Sequence, residues 1–163
     1  MKTVEGDIVD LALNGHFDTI IHGCNCFHTM GAGLAKTIRE AFPEAYAVDM
    51  KTVKGDRAKL GTLSIARAHR QGRVITIVNA YTQFDWRGRA VKADYEAIRR
   101  AMREVGGVFR DSRVGYPQIG AGLAGGRWEV IAPIIEEELN GLQHTLVLYK
   151  PSPSVKFQQK PGI

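Results

Sequence analysis

The chain is poor in cysteine, and its two cysteines are not spaced for the usual structural roles. Cys24 and Cys26 are separated by one residue in a chain of 163. This spacing matches neither a disulfide framework nor the Cys-x-x-Cys pairs of structural zinc sites. The five histidines show no His-x-x-x-His spacing, so we expect no metal and no cofactor. The two thiols are predicted to be reduced, buried and inert.

Long apolar runs are also missing. No segment approaches the roughly 18 to 20 apolar residues that span a membrane. Glu5, Asp7 and Asp10 lie where a signal peptide would need basic and then apolar residues. We therefore expect a cytoplasmic protein without membrane contact. The formal net charge of +5 favours partners that carry phosphates, such as a nucleotide or nucleic acid.

Short β-branched strands alternate with amphipathic helices along the chain. Strands are predicted at residues 19–23, 61–68, 74–80, 114–119 and 145–149, the second and third forming a hairpin around Gly72. Helices are predicted at 31–42, 43–51, 91–105 and 128–139, the third ended by Gly106 and Gly107 and the fourth started late or kinked by Pro133. This alternation predicts a mixed, largely parallel sheet with helices on both faces over residues 1–150. The proline-containing segment 151–163 is predicted to be an extended or mobile arm.

Two glycine loops each follow a predicted strand and lead into a predicted helix. They read Met30-Gly31-Ala32-Gly33 and Gly120-Ala121-Gly122-Leu123-Ala124-Gly125-Gly126. The first loop has the spacing of neither a P-loop, because no Gly-Lys-Ser/Thr follows it, nor a dinucleotide fingerprint, which needs a third glycine three residues on. One such loop alone favours a tight turn, but two of them could hold adjacent phosphates from both sides, because helix N-termini and glycine backbone suit anions.

Five segments in order resemble the successive signature segments of macro domains: VEGDIVD, IIHGCNCFHTMGAGLA, VNAYTQFDWRG, YPQIGAGLAGGRW and LVLYK. They extend from Met1 to about Lys150. The resemblance implies a three-layer α/β/α fold, ADP-ribose as ligand and a monomeric state. It is strongest to the branch with ADP-ribose-1''-phosphate phosphatases and the antitoxin macro domains that remove ADP-ribose from DNA.

The resemblance also implies which residues contact the ligand. Asp7 would accept a hydrogen bond from the adenine amino group, or it simply caps the next helix. Asn25 would contact the distal ribose, or it is a turn residue in the left-handed conformation. Tyr149 would stack on adenine, or it belongs to the core. The complete predicted binding set is Asp7, Ile8, Cys24, Asn25, Met30, Gly31, Ala32, Gly33, Ile119, Gly120, Ala121, Gly122, Leu123, Ala124, Gly125 and Tyr149.

Catalytic residues of related hydrolases are replaced in this chain. Leu34-Ala35-Lys36-Thr37 occupies a stretch where many of them have Asp, and Gln83 and Ala124 stand where other branches have Lys and Asp. An amide such as Gln83 does not titrate and cannot serve as nucleophile or base. His22 remains as the candidate acid or nucleophile, unless it is a hydrogen-bonded core residue.

Three functions remain open from the sequence. The leading hypothesis is hydrolysis of ADP-ribose-1''-phosphate to ADP-ribose and phosphate by His22, with Thr82 and Gln83 orienting water and Asp85 or His28 assisting. The second is ADP-ribose binding without catalysis. The third is removal of ADP-ribose from modified protein or nucleic acid, in which the basic charge would help hold a nucleic acid.

Overall fold

Strands and helices alternate along residues 1–153, the part of the chain that the computed structural model describes. The strands are β1 (Lys2–Gly6), β2 (Thr19–Cys24), β3 (Leu63–Arg70), β4 (Arg73–Tyr81), β5 (Val114–Tyr116) and β6 (His144–Tyr149). The helices are α1 (Ile8–Leu13), α2 (Gly33–Ala41), α3 (Pro43–Asp49), α4 (Tyr95–Val108) and α5 (Trp128–Glu138), with a 3-10 turn at Arg57–Lys59.

The six strands form one sheet in the order β1-β6-β5-β2-β4-β3. All neighbouring pairs are parallel except β3 and β4 at one edge. Strands β3 and β4 form the predicted hairpin, whose two turn residues, Gln71 and Gly72, both have positive φ. The predicted mixed, largely parallel sheet is confirmed.

Alternate residues of the central strands form two cores on opposite faces of the sheet. Ile21 of β2 and Val78 of β4 pack in a cluster with residues of α4 and α5. Their neighbours Ile20 and Ile77 pack in a second cluster with residues of α1, α2 and α3. Because successive strand residues point to opposite faces, a continuous apolar strand requires helices on both sides. The predicted three-layer α/β/α arrangement is therefore confirmed.

Two predicted helix boundaries are wrong for identifiable reasons. Helix α4 continues through Gly106 and Gly107, which were expected to end it. A Cβ at Gly106 would lie 2.5 Å from the Glu138 carbonyl oxygen, so this glycine permits close packing against α5 rather than ending a helix. The expected late start of α5 is also wrong, because the helix begins at Trp128 and continues through Pro133.

The end of the chain is described only in part. Pro151–Pro153 are exposed and irregular, and the remainder of the predicted extended or mobile arm lies outside the described residues. Within residues 1–153, no helix combines the length and the apolar character needed to cross a membrane.

Candidate functional site

The loops that follow five parallel strands meet at one edge of the sheet. They surround a cleft of about 920 Å³ and an adjoining smaller pocket of about 450 Å³. The two spaces share wall residues Gly33, Leu34, Pro117, Val147 and Tyr149. This is the edge at which open α/β sheets bind ligands, because the carboxyl ends of parallel strands are directed toward it.

Most of the predicted site residues line this cleft. Asp7 and Ile8 line the smaller pocket. The larger space is lined by His22, Cys24, Asn25, Gly31, Ala32, Gly33, Thr82, Gln83, Ile119, Gly120, Ala121, Gly122, Leu123, Ala124 and Tyr149. Loops separated by up to about 140 residues in sequence are therefore brought together at one surface.

Three residues of the predicted site do not line the cleft. The Met30 side chain is buried in the core beside α2. Asp85 turns away and binds Arg87, whose Nη2 lies 2.7 Å from its carboxylate. Gly125 closes the second loop by donating its N–H to the Gly122 carbonyl at 3.0 Å. His28, the other assisting candidate, is also absent from the cleft wall, and its ring lies 3.1 Å from the Thr52 hydroxyl.

The two glycine loops meet across the cleft. Leu123 of the second loop reaches over Gly33 of the first, with Cδ1 3.1 Å from where a Cβ of residue 33 would lie. Gly33 has φ of +55°, a conformation that favours glycine. The contact places the N-terminus of α2 beside the second loop.

Both loops present backbone N–H groups that the protein does not use. In residues 1–153, the N–H groups of Gly31 and Ala32 make no hydrogen bond with the protein, nor do those of Gly122, Leu123 and Ala124. No side chain caps the N-terminus of α2. Unpaired N–H groups at a helix start carry a partial positive charge of about half a unit. The arrangement is suited to an anion between the loops.

Asp7 caps α1 and leaves one carboxylate oxygen for the other role that the sequence left open. Its Oδ1 atom caps α1 by accepting from the N–H of Val9 at 2.8 Å and of Asp10 at 3.3 Å. Its Oδ2 atom has no hydrogen-bond donor within the described part of the chain. One carboxylate can therefore cap the helix and still accept a hydrogen bond from a ligand in the smaller pocket.

Asn25 holds the loop after β2 in shape. Its side-chain oxygen accepts from the Phe27 N–H at 2.9 Å, and its Nδ2 donates to the Thr29 carbonyl at 3.1 Å. Asn25 is therefore a turn residue, as one alternative predicted. It is not in the left-handed conformation, because His28 rather than Asn25 has positive φ. Asn25 still lines the cleft, and one N–H of its amide remains for a ligand.

His22 lies in a buried polar network beneath the cleft. Its ring is 2% exposed, and Nε2 donates to the Asn79 side-chain oxygen at 2.7 Å. Asn79 in turn donates to the Ala45 carbonyl and to the Ser64 hydroxyl, so its oxygen must be the acceptor toward His22. Burial lowers the pKa of His22 to about 4, although Asn79 and the nearby Asp49 oppose the shift. The ring is therefore neutral at pH 7.

The cysteines are buried free thiols. Cys24 Sγ lies 3.6 and 3.8 Å from the two ring nitrogens of His22. Burial raises the pKa of both thiols, with Asp49 adding to the effect. A thiol in this environment is a poor nucleophile, because the thiolate is the reactive form.

Tyr149 lies at the mouth of the cleft and not in the core. Its side chain is 74% exposed at the end of β6, where it lines both spaces. The core alternative is therefore wrong, and an exposed ring at a cleft mouth is available for stacking.

Among the cleft residues that sequence reasoning missed, Trp86 and Lys92 have side chains suited to contact a ligand. Trp86 is 53% exposed and Lys92 is partly exposed, and both belong to the loop between β4 and α4. Trp86 falls inside the signature segment VNAYTQFDWRG, so its position was a usable signal. Lys92 falls in no signature segment, and nothing in the local sequence indicates its place. Within residues 1–153, no group of three or more His, Cys, Asp or Glu side chains could hold a metal ion.

Fold and cleft together define a three-layer α/β/α domain with paired glycine loops at one sheet edge. The chain belongs to the macro domain family, since the sequence model of the Macro domain matches residues 21–135. A relative in Enterobacteria phage T4, the "Uncharacterized 17.5 kDa protein in tk-vs intergenic region", is 34% identical in an alignment of 157 residues that covers 93% of this chain and 97% of that protein.

Solved structures show the same fold at lower sequence identity. The macrodomain of Mycobacterium tuberculosis DarG is 20% identical with a TM-score of 0.71, and the match covers 93% of this chain and 97% of that one. Thermosipho africanus DarTG in complex with ADP-ribose is 19% identical with a TM-score of 0.67, over 88% of this chain and 42% of that one. The macro domain resemblance of the sequence is confirmed.

Proposed function

We propose that this protein binds ADP-ribose, with the diphosphate between the two glycine loops. The observation that carries the proposal is that both loops line one cleft and contain N–H groups without a hydrogen-bond acceptor in the described part of the protein. Backbone donors at a helix N-terminus bind phosphate oxygens without a cationic side chain. Thermosipho africanus DarTG forms a complex with ADP-ribose, which supports the same ligand class here.

The chemistry of the two ends of the cleft favours one orientation of the bound ADP-ribose. The smaller pocket offers the free Asp7 oxygen and the exposed Tyr149 ring, which suit the amino group and the flat face of adenine. The larger space offers Asn25, Thr82 and Gln83, which suit the hydroxyl groups of a ribose. A diphosphate at the glycine loops would connect the two ends.

Adding a negative charge to the second loop separates ligand binding at the loops from effects on folding. A side chain at Gly122 would meet no atom within 4 Å, and this residue does not have positive φ. Gly122→Glu should therefore fold normally, and its carboxylate should repel the diphosphate. Gly107→Glu is the matched control, because Gly107 is equally open but lies on α4 and not in the cleft.

The measurement is isothermal titration calorimetry with ADP-ribose, ADP and adenosine. We expect wild type and Gly107→Glu to bind ADP-ribose with equal affinity, and Gly122→Glu to show no heat of binding at an unchanged melting temperature. Absence of ADP-ribose binding by wild type would refute the proposal. Wild-type affinity in Gly122→Glu would refute the placement of the diphosphate.

Hydrolysis of ADP-ribose-1''-phosphate is a second proposed activity. It is favoured by the Thr82 hydroxyl and the Gln83 amide, which line the larger space and make no side-chain hydrogen bond within residues 1–153. Water could be oriented by these groups for attack on phosphorus, releasing phosphate and leaving ADP-ribose. The environment of His22 argues against its use as a general acid, because a buried ring with a pKa of about 4 is almost entirely in its neutral form at pH 7, and that form is a very weak acid.

Phosphate release from ADP-ribose-1''-phosphate tests this second activity. We expect Gln83→Leu to reduce the rate at least about tenfold, while Gln143→Leu, an exposed glutamine outside the cleft, leaves it unchanged. ADP-ribosylated protein and ADP-ribosylated DNA form parallel arms that measure release of ADP-ribose. If the protein binds ADP-ribose but turns over none of the three substrates, its function is binding without catalysis.

A further inference from the structure

Lys92 is the one side chain with a positive charge at pH 7 on the wall of the larger cleft, within residues 1–153. No Asp or Glu lines this space, and Asp7 lines only the smaller pocket. Arg87, in the same loop as Lys92, is already paired with Asp85 at 2.7 Å. No ion pair of the described chain involves Lys92. Its charge is therefore available to a ligand.

The backbone of Lys92 is held firmly beside the second glycine loop. Its N–H donates to the Ala124 carbonyl at 2.8 Å, and the next residue, Ala93, forms a bridge with Gln83. The ammonium group lies 3.1 Å from where a Cβ of Gly88 would be, and Gly88 has φ of +89°. The ammonium group thus lies beside a glycine of its own loop, and the residue lines the larger cleft.

Lys92 belongs to the larger space and not to the smaller pocket. Asp7 and Ile8 line only the smaller pocket, whereas Lys92, Gln83 and Thr82 line only the larger one. If adenine occupies the first and the diphosphate lies at the glycine loops, the distal ribose lies on the side of Gln83 and Lys92. The unpaired backbone N–H groups already serve the diphosphate, so this cation is left for a further anionic group.

We propose that Lys92 selects ligands that carry a phosphomonoester on the distal ribose, and this inference rests on the proposed binding of ADP-ribose in the cleft. A phosphomonoester adds a charge of about −1.5 to −2 near pH 7. A lysine ammonium binds phosphate as a point charge without strict geometry. Lys92 is thereby a specificity-determining residue of the site and raises affinity for the phosphorylated form above that for ADP-ribose itself.

The test compares three ligands by calorimetry at one fixed, low ionic strength. They are ADP, ADP-ribose and the phosphonate analogue of ADP-ribose-1''-phosphate, in which a methylene group replaces the bridging oxygen and prevents hydrolysis. The proteins are wild type, Lys92→Met, Lys92→Arg and Lys36→Met. Lys36 is the matched control, since it is an exposed lysine on α2 that follows the first glycine loop but does not line the cleft.

We expect wild type to bind the phosphonate about tenfold or more tightly than ADP-ribose, as one charge-assisted contact allows. Lys92→Met should lose this preference with little change for ADP and ADP-ribose, while Lys92→Arg and Lys36→Met retain it. If Lys92→Met lowers the affinity for all three ligands equally, the ammonium group contacts the diphosphate, and the inference is overturned. Equal wild-type affinity for ADP-ribose and the phosphonate would also overturn it. Failure of the proposed function is a separate result, because wild type would then bind none of the three.

Discussion

His22 donates a hydrogen bond from Nε2 to the side-chain oxygen of Asn79, its direct neighbour across β2 and β4, at 2.7 Å. Both residues are buried, with exposures of 2% and 0%. The hydrogen bond fixes the tautomer of the ring and leaves only Nδ1 as an acceptor. The pair therefore joins two central strands directly under the cleft.

The first prediction is a loss of stability at acid pH that depends on His22. Its pKa is about 4 in the folded protein and 6.5 ordinarily, so the unfolded chain takes up the proton first. The stability contributed by the neutral ring is fully present above pH 6.5 and is lost as the pH falls toward 4. The unfolding free energy should decrease by at most about 1.4 kcal/mol per pH unit from this one group.

Urea unfolding of wild type and His22→Gln between pH 7.5 and 4.5 measures this effect. The glutamine amide can still donate to Asn79 but does not titrate. Burial also lowers the pKa of His144, and that residue contributes equally to both proteins. The variant should be less stable at pH 7.5 and show a shallower pH slope. If the unfolding free energies of both proteins fell equally with pH, the low pKa could not belong to His22.

The second prediction concerns Gly33, over which Leu123 packs. Gly33→Ala forces an alanine into φ of +55° and brings its Cβ to 3.1 Å from Leu123 Cδ1. We expect a loss of about 1 kcal/mol in stability from the backbone strain. Displacing the loops should also weaken ADP-ribose binding about tenfold, the equivalent of one charge-assisted hydrogen bond.

Gly72→Ala is the control for this strain. Gly72 has φ of +73° in the β3–β4 turn, and a Cβ there would meet nothing within 4 Å. Chemical unfolding should show a similar stability loss in both variants, while calorimetry shows weaker ADP-ribose binding only in Gly33→Ala. Unchanged affinity in both would mean that the contact between the loops plays no part in binding.

The fold and the edge that carries the site could be predicted from the sequence because both depend on local patterns. Apolar strands such as Thr19–Cys24 and the glycines after them are recognisable within a few residues. Parallel strand order then places the loops at one edge, whatever the details of packing. The predicted loops around Gly31 and Gly120 accordingly line the same cleft.

The environment of individual side chains could not be predicted, because it depends on contacts distant in sequence. His22 obtains its character from Asn79, which is 57 residues away. Lys92 reaches the cleft because the loop between β4 and α4 folds back, with the Asp94 N–H donating to the Thr82 carbonyl at 2.9 Å. Gly106 was interpreted by the local rule for helix ends, whereas helix packing decided its role.

The third prediction separates the two roles of Asp7. Asparagine caps helices about as well as aspartate, so Asp7→Asn should keep the stability of α1, whereas Asp7→Ala should lose about 1 kcal/mol. With the oxygen retained at the cap, an amide nitrogen would replace the free Oδ2 atom. The adenine amino group would then face a donor instead of an acceptor, and ADP-ribose should bind more weakly.

The hypoxanthine analogue of ADP-ribose completes this test, because it presents a carbonyl where adenine has an amino group. Calorimetry should show wild type preferring ADP-ribose and Asp7→Asn preferring the analogue. An unchanged preference in Asp7→Asn would show that Asp7 only caps α1.

The fourth prediction concerns Tyr149, whose exposed ring has few contacts to lose on mutation. Stacking of a base on an aromatic side chain contributes roughly 1–3 kcal/mol, so Tyr149→Ala should weaken ADP-ribose binding by about tenfold or more. Tyr149→Phe keeps the aromatic face and should bind like wild type. Because the side chain is 74% exposed, neither change should lower the melting temperature appreciably. Ribose-5-phosphate lacks the base and should bind all three proteins equally; a difference there would place Tyr149 on a part of the ligand other than adenine.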